Sequence, residues 1–308
     1  MKKTVSLDVC YSFAGCYGEP QKLYLGPDCR DQSTIIHELY HVLGFLHEHT
    51  RNVKDQHINY QNIIPDYLWE SMVNNTVPIP EVPEELIFEG DLIIPTLGRN
   101  GLKFGKIWNR GIVPYVFDRY SDRRFQEQVR YGMETINRLT KGCIRFVPKT
   151  YQRDFLVITS YASHCVSVPG RYGGPHYIYL GPECRQPATI LHELYHSLGF
   201  VHEQSRTDRD RYITVLYQNI VYTRRSQFDI NRDTTTYGVP YDYESIVHYR
   251  QYDFSGNGRP TIITKDRRYQ NIIGNAQTLS EKDILKIQRR YKCHGNQIPF
   301  QNEINYGT

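Results

Sequence analysis

The distribution of apolar and polar residues predicts strands and helices mixed along the second half of the chain. Short runs of β-branched and aromatic residues predict strands at residues 112–117, 144–148, 155–160 and 177–180. Helical spacing predicts helices at residues 121–139, 189–198 and 280–291, with Ser121 and Ser280 as N-caps. Because the two element types do not alternate strictly, we predict an α+β domain rather than a doubly wound sheet.

An internal repeat divides the chain into unequal parts. Residues 24–51 and 179–206 align at a constant offset of 155, and 19 of the 28 positions are identical. The first copy soon gives way to a proline-rich stretch, whereas the second lies within a longer domain-like sequence. We therefore predict a truncated duplicate at residues 1–64, a linker segment at 65–99, a complete domain at 100–293 and a tail at 294–308.

Composition narrows the possible functions only a little. The 37 Lys and Arg residues are interspersed with 33 Asp and Glu residues, which gives a formal net charge of +4. A nucleic-acid-binding protein usually carries a denser basic stripe, so we predict no nucleic-acid partner. No run of 18 apolar residues is present, which argues against a membrane span. Seven cysteines are typical of an oxidising compartment, although the first residues form no clear signal peptide.

The second repeat copy contains a pattern typical of a catalytic zinc site. His192 and His196 lie four residues apart on a predicted helix, so both imidazoles face one side, with Glu193 beside that face. Gly199 predicts the end of the helix, and the turn there brings His202 round as a third ligand. Three neutral imidazoles leave one position of Zn²⁺ open to water, which is the catalytic arrangement. The alternative is a core helix whose histidines only satisfy hydrogen bonds.

Around this motif the chain resembles the astacin family of zinc endopeptidases, within the metzincins. The family pattern HExxRxDRD starts at the third histidine, and residues 202–210 read HEQSRTDRD. Further similarity lies at residues 108–115 (WNRGIVPY) and 241–246 (YDYESI). The resemblance covers roughly residues 100–293 and implies a two-lobed fold with a twisted mixed sheet and an active-site helix above a cleft. It also implies one catalytic Zn²⁺, protein or peptide substrates, and secretion.

The resemblance implies further roles around the metal. Tyr249 is expected to be an exchangeable zinc ligand that moves away to stabilise the oxyanion, while Glu193 is expected to be the general base. The methionine expected beneath the histidines is Val247 here. Because that residue is not a ligand, we expect valine to preserve the zinc site, at some cost in stability from a smaller side chain.

Residues 88–91 (FEGD) resemble the propeptide motif of the family. The resemblance implies that Asp91 binds the zinc in place of the catalytic water and keeps a zymogen inactive. It further implies cleavage between Arg99 and Asn100, after which the new N-terminus is buried against Glu203. The segment 65–99 is therefore interpreted as a linker followed by a propeptide-like segment.

Four cysteines of the second domain fit the family pattern as well. The resemblance implies that a Cys143–Cys293 disulfide ties the start of the domain to its end. It also implies a Cys165–Cys184 disulfide before the active-site helix. A bridge that closes so long a loop is expected to contribute several kcal/mol in the chain-entropy model.

The first repeat copy reproduces the zinc motif in His37, Glu38, His41 and His47. It lacks a counterpart of the preceding strands and of the turn tyrosine. We therefore interpret it as a truncated duplicate that can still hold a metal but does not turn over substrate. A join between two adjacent genes, in nature or in sequence assembly, would produce the same layout.

The leading hypothesis is a secreted zinc endopeptidase made as a zymogen. The alternative is a catalytically silent secreted binding protein that retains the metalloprotease shell, which is favoured only by Val247 and the truncated copy. Many astacins select acidic residues through an arginine in an Ile-Gly-Gln-Arg stretch. The corresponding residues 273–276 read IGNA, so that preference is not carried over.

Overall fold

A computed structural model describes residues 87–93, 106–119, 121–161, 164–232 and 234–293. All of them belong to one compact unit, formed by Ser71–Ile94 and Lys103–Thr308. The first repeat copy, with His37, Glu38, His41 and His47, lies outside the described residues. So do the predicted tail at 294–308 and all of segment 65–99 except residues 87–93.

The larger of two sheets among the described residues is mixed and seven-stranded, in the order β1-β2-β6-β7-β5-β3-β4. The β1–β2 and β6–β7 pairs are antiparallel, and the other neighbours are parallel. All five residues of β5 are buried, as expected for an apolar strand covered on both faces. The strands are β1 Ile87–Phe88, β2 Leu92–Ile93, β3 Ile112–Phe117, β4 Arg145–Pro148, β5 Phe155–Thr159, β6 Cys165–Ser167 and β7 Pro175–Leu180.

Three α-helices accompany the sheet: α1 Arg123–Leu139, α2 Pro187–Ser197 and α3 Glu281–Tyr291. Ser280 caps α3 in a capping box with Asp283, as its sequence predicts. The predicted cap of α1 is wrong, because Asp122 accepts the Phe125 N–H at 2.8 Å. The Ser121 hydroxyl donates to a neighbouring carboxylate, that of Asp118.

Helices α1 and α2 pack closely because a glycine lies between them. A Cβ at Gly132 would lie 2.9 Å from Cγ2 of Ile190, so a larger residue would push the helices apart. Trp108 is buried in the same core, and its indole N–H donates to the Ser197 carbonyl at 2.8 Å. These contacts fix α2, the helix that carries the zinc motif, against the sheet.

A second buried cluster lies in a less regular region. It is rich in aromatic residues, including Phe228, Tyr241 and Tyr249, and it packs around the antiparallel pair β8 Ile213–Val215 and β9 Ile262–Thr264. Short 3₁₀ helices are most frequent between α2 and α3, where this region lies. They are Asn109–Gly111, Pro182–Cys184, Glu203–Ser205, Arg209–Arg211, Tyr217–Asn219, Tyr222–Phe228 and Arg267–Tyr269. The prediction of a two-lobed α+β fold is confirmed. Among the described residues, the helices are too short or too polar to cross a membrane.

Candidate metal centre

Helix α2 carries His192 and His196 one turn apart, with ring centroids separated by 4.5 Å. Gly199 follows the helix with a φ of +92°, which only glycine adopts readily. A Cβ at this position would lie 2.4 Å from Nη2 of Arg290. The turn leads the chain to His202, whose ring centroid lies 4.8 Å from that of His196. The three histidines of the motif therefore face one another.

A carboxylate from the turn between β1 and β2 lies against the three histidines. Oδ2 of Asp91 lies 2.9 Å from Nε2 of His192 and 3.1 Å from Nε2 of His202. Oδ1 of Asp91 lies 3.7 Å from Nε2 of His196. One ligand atom from each of the four residues lies within 4.8 Å of the other three. The structure thus brings together the three expected zinc ligands and the expected zymogen ligand.

The opposite ring nitrogens orient the first two imidazoles. Nδ1 of His192 donates to the Ile246 carbonyl at 2.8 Å, and Nδ1 of His196 donates to the Phe200 carbonyl at 2.6 Å. Because a carbonyl oxygen only accepts, both rings carry their proton on Nδ1. Their Nε2 atoms are therefore free to bind a metal.

A carboxylate orients the third imidazole. Nδ1 of His202 donates to Oε2 of Glu89 at 2.9 Å, and the glutamate side chain is fully buried. Burial alone would lower the pKa of His202, but Asp91 and Glu89 outweigh it and raise the pKa to about 10. Burial would raise the pKa of Asp91, but His202 and His192 hold it far below its usual range. The sequence placed Glu89 within the FEGD motif but indicated no role for its side chain.

The donor set fits Zn²⁺. The Nε2 atoms of His192 and His196 lie 2.8 Å apart although both are acceptors, so their lone pairs call for a cation between them. Oδ1 of Asp91 is buried and has no hydrogen-bond partner among the described residues. Three imidazole nitrogens with one carboxylate oxygen form the kind of N/O set that zinc binds tetrahedrally.

Glu193 lies beside the histidines in a cleft of about 360 Å³ that Asp91, His192 and Tyr249 also line. Its side chain is buried, and its Oε2 atom has no hydrogen-bond partner in the described part of the chain. Burial, and secondarily the charge of Asp91, raise the pKa of Glu193 well above its usual value. A carboxyl group with a raised pKa beside metal ligands is suited to general acid–base chemistry.

Tyr249 packs against His202, and Val247 lies two residues before it, on the chain that follows the 241–246 motif. The Tyr249 ring centroid lies 4.7 Å from that of His202, and its hydroxyl donates to the Glu89 carbonyl. Burial raises the pKa of this phenol well above 10. Val247 is buried in the main core, and its carbonyl accepts the Glu203 N–H at 3.0 Å.

Glu203 lies in a buried network of charges. Its Oε1 atom accepts from Nη1 of Arg206 and from the backbone N–H of Asp242, both at 2.8 Å. Its Oε2 atom accepts from Nζ of Lys286 at 2.5 Å. The resemblance implies that a new N-terminus pairs with Glu203. In this structure the Glu203 carboxylate pairs with the side chains of Arg206 and Lys286. A cavity of about 350 Å³ adjoins the three charged side chains.

The described residues contain two disulfides, Cys143–Cys293 and Cys165–Cys184. The first joins the loop after α1 to the residue that follows the C-cap of α3. The second joins β6 to the 3₁₀ helix just before α2. The first bridge therefore spans the helix that carries the zinc motif, and the second fixes the segment that leads into it.

Comparison with known proteins identifies the family. The sequence model of the Astacin peptidase family matches residues 3–76 and 102–292. The chain belongs to the astacin family. Among its astacin relatives, zinc metalloproteinase nas-4 of Caenorhabditis elegans is 34% identical over 222 residues, which cover 67% of this chain and 69% of nas-4. Zinc metalloproteinase nas-5 of the same organism is 36% identical over 189 residues, or 59% of this chain and 52% of nas-5.

A solved structure of another astacin protein supports the same fold. High choriolytic enzyme 1, a hatching enzyme zinc-protease from Oryzias latipes, matches with a TM-score of 0.57 and 34% identity. The match covers 62% of this chain and 95% of that chain. Several of the curated astacin relatives are longer, and this chain spans about half of their length.

Proposed function

We propose that this chain is a zinc-dependent endopeptidase made as a zymogen, with protein or peptide substrates. One observation carries the proposal: three histidine Nε2 atoms and the Asp91 carboxylate converge on one point. Glu193 lies beside that point, in the same cleft. Membership of a peptidase family agrees with this chemistry.

In the active protein, His192, His196 and His202 would hold the zinc ion. Bound zinc supplies a Lewis acid that polarises the scissile carbonyl and lowers the pKa of a water molecule. The chain itself contributes orientation, because two backbone carbonyls and one carboxylate fix the three rings through Nδ1.

Glu193 would move the proton during hydrolysis. Its carboxylate accepts a proton from the attacking water and then delivers it to the nitrogen of the leaving amine. Burial keeps the pKa of this group high, and departure of Asp91 would remove the second contribution to that shift. The general base would therefore become easier to ionise once the inhibitory turn has left.

Tyr249 would stabilise the negative charge that develops on the carbonyl oxygen. In this structure its hydroxyl donates to the Glu89 carbonyl, which belongs to the same turn as Asp91. Removal of the turn would therefore free the hydroxyl as well as the metal position. The inhibitory turn would therefore block the metal position and the Tyr249 hydroxyl together.

Further proposals concern processing and location. Cleavage between Arg99 and Asn100 would separate the propeptide-like segment 65–99 from the catalytic domain 100–293. Secretion is supported by the two disulfides of the domain. The metal site of the truncated first copy, His37, His41 and His47, remains a prediction.

The test uses Asp91→Ala in the full chain, which removes the inhibitory carboxylate without excising a segment. We expect the zinc-loaded variant to cleave fluorescent casein and a chelator to abolish cleavage, whereas the wild-type chain stays latent. Adding Glu193→Gln should abolish cleavage with zinc still bound. Asp266→Ala, which removes a half-buried carboxylate paired with Arg268, is the control that should stay latent.

Two outcomes would contradict the proposal. Activity that survives in Asp91→Ala with Glu193→Gln would exclude Glu193 as the general base. A folded, zinc-loaded Asp91→Ala chain without any cleavage would favour the alternative, a silent binding protein that retains the metalloprotease shell.

A further inference from the structure

The turn that carries Asp91 also contains a fully buried glutamate in an unfavourable backbone conformation. Glu89 has a φ of +47°, in the left-handed region where glycine or asparagine is usual. Gly90 follows with a φ of +81°. A residue that is held in this region despite its Cβ points to a role for its side chain.

The side chain of Glu89 bonds to residues far along the chain. Oε2 accepts from Nδ1 of His202 at 2.9 Å and from the hydroxyl of Ser205 at 3.1 Å. Oε1 accepts from Nδ2 of Asn231 at 3.4 Å. The carboxylate is thus buried against the third histidine and the short helix that follows it.

The three histidines differ in what orients them. His192 and His196 donate from Nδ1 to the carbonyls of Ile246 and Phe200, which lie outside the removable residues 87–93. His202 donates to a charged group that belongs to the removable segment. A carboxylate behind an imidazole fixes its orientation and makes the ring a stronger ligand.

We propose that Glu89 is a positioning residue for the metal site. It holds His202 through Nδ1 while Asp91 faces Nε2 of the same ring, so one turn acts on both sides of this imidazole. The zymogen would therefore bind zinc more tightly than Asp91 alone accounts for, and the processed domain would lose that contribution. This inference rests on the proposed zinc site.

The experiment measures the zinc dissociation constant of the full chain by competition with a chromophoric chelator. The wild-type chain and every variant carry His37→Ala and His41→Ala, which remove the predicted ligands of the first repeat copy. Glu89→Gln keeps the shape of the side chain but removes its charge. Glu89→Gly removes the side chain and relieves the backbone. We expect both variants to bind zinc about 10 to 100 times more weakly, as is typical when such an outer carboxylate is lost. The d–d spectrum of the cobalt-loaded chain should change as well.

Two control variants separate this role from general effects of mutation. Glu127→Gln removes an exposed carboxylate on α1 and should leave zinc affinity unchanged. Ser205→Ala removes one partner of Glu89 but keeps the bond to His202, so the expected loss is under about threefold. Weak zinc binding by Glu89→Gly together with an unchanged or higher melting temperature of the metal-free chain would support the proposal.

Zinc affinities of Glu89→Gln and Glu89→Gly within twofold of the wild type would overturn it. A loss in Ser205→Ala as large as that in Glu89→Gln would also overturn it, because the hydroxyl would then carry the effect. A wild-type chain that binds no zinc at this site would instead refute the proposed function. The two failures are therefore distinguishable.

Discussion

Replacement of Lys286 by methionine should destabilise the domain strongly. The lysine side chain is 6% exposed, and its Nζ lies 2.5 Å from Oε2 of Glu203 and 3.9 Å from Oδ1 of Asp283. Removal of one partner from a buried ion pair costs about 3–5 kcal/mol. Glu203 keeps Arg206 as a partner, so we expect a loss of about 3 kcal/mol. For a domain of this size, that corresponds to a fall in Tm of about 6–12 °C.

The assay is urea and thermal unfolding of the zinc-loaded full chain, followed by circular dichroism. Lys282→Met is a matched control, because this lysine lies on the same helix but is 41% exposed, with its Nζ 3.7 Å from Asp242. Asp242 is buried and the Lys282 Nζ also donates to the Tyr241 carbonyl at 3.0 Å, so we expect the control to cost about 0.2–1 kcal/mol, well below the loss in Lys286→Met. Combining Lys286→Met with Glu203→Gln should cost less than the sum of the two single changes, because the partners are coupled.

Alkaline pH supplies an independent check. Burial would lower the pKa of Lys286, but Glu203 and Asp283 outweigh it and raise the pKa above 10.5. A cation whose pKa is raised on folding stabilises the fold fully below its unfolded pKa, and this contribution is lost as the pH rises through the folded pKa. Lys286→Met should lack that alkaline loss. Equal stability of Lys286→Met and Lys282→Met would refute the reasoning.

Three further predictions concern the rest of the domain. Val247→Ala should lower the free energy of unfolding by about 1–3 kcal/mol, with zinc stoichiometry unchanged because the residue supplies no ligand atom; loss of zinc would contradict this. Gly199→Ala should lower the free energy of unfolding by about 1–3 kcal/mol and weaken zinc binding, because φ is positive here and Arg290 fills the space that a Cβ would need. An unchanged melting temperature would argue against this. Burial lowers the pKa of His176 to about 4, so stability should fall by up to about 3 kcal/mol as the pH drops from 6.5 to 4. The urea midpoint of His176→Gln should depend less on pH, and an equal dependence would exclude this origin.

The spacing of apolar residues along the chain predicted the three α-helices well. Helices α1, α2 and α3 each differ from the prediction by at most two residues at either end. The N-cap of α1 was predicted one residue too early, because Ser121 and Asp122 are both good capping residues. In the structure the Ser121 hydroxyl bonds to Asp118, and Asp122 caps the helix. The short strands β1, β2 and β6 were not predicted, since two or three residues show no period and depend on their neighbours for pairing.

In the candidate site, too, residues close together in the sequence could be predicted, whereas contacts between residues far apart in the sequence could not. His192 and His196 follow from helical spacing, and His202 follows from the turn at Gly199. Glu89 could not be predicted as a partner of His202, because 113 residues separate them and a lone glutamate in a turn carries no periodic signal. The pairing of Glu203 with Lys286, 83 residues apart, was hidden for the same reason.

The Cys143–Cys293 disulfide has a consequence for how processing would be detected. It closes a covalent ring that contains α2 and Tyr249, so one backbone cut inside the ring leaves both fragments joined until the protein is reduced. Residues 87–93 lie outside the ring, and the four cysteines of the domain are already paired with one another. A cut between residues 93 and 106 would therefore release the upstream piece without reductant. Paired gels with and without reductant would thus distinguish activation from self-digestion.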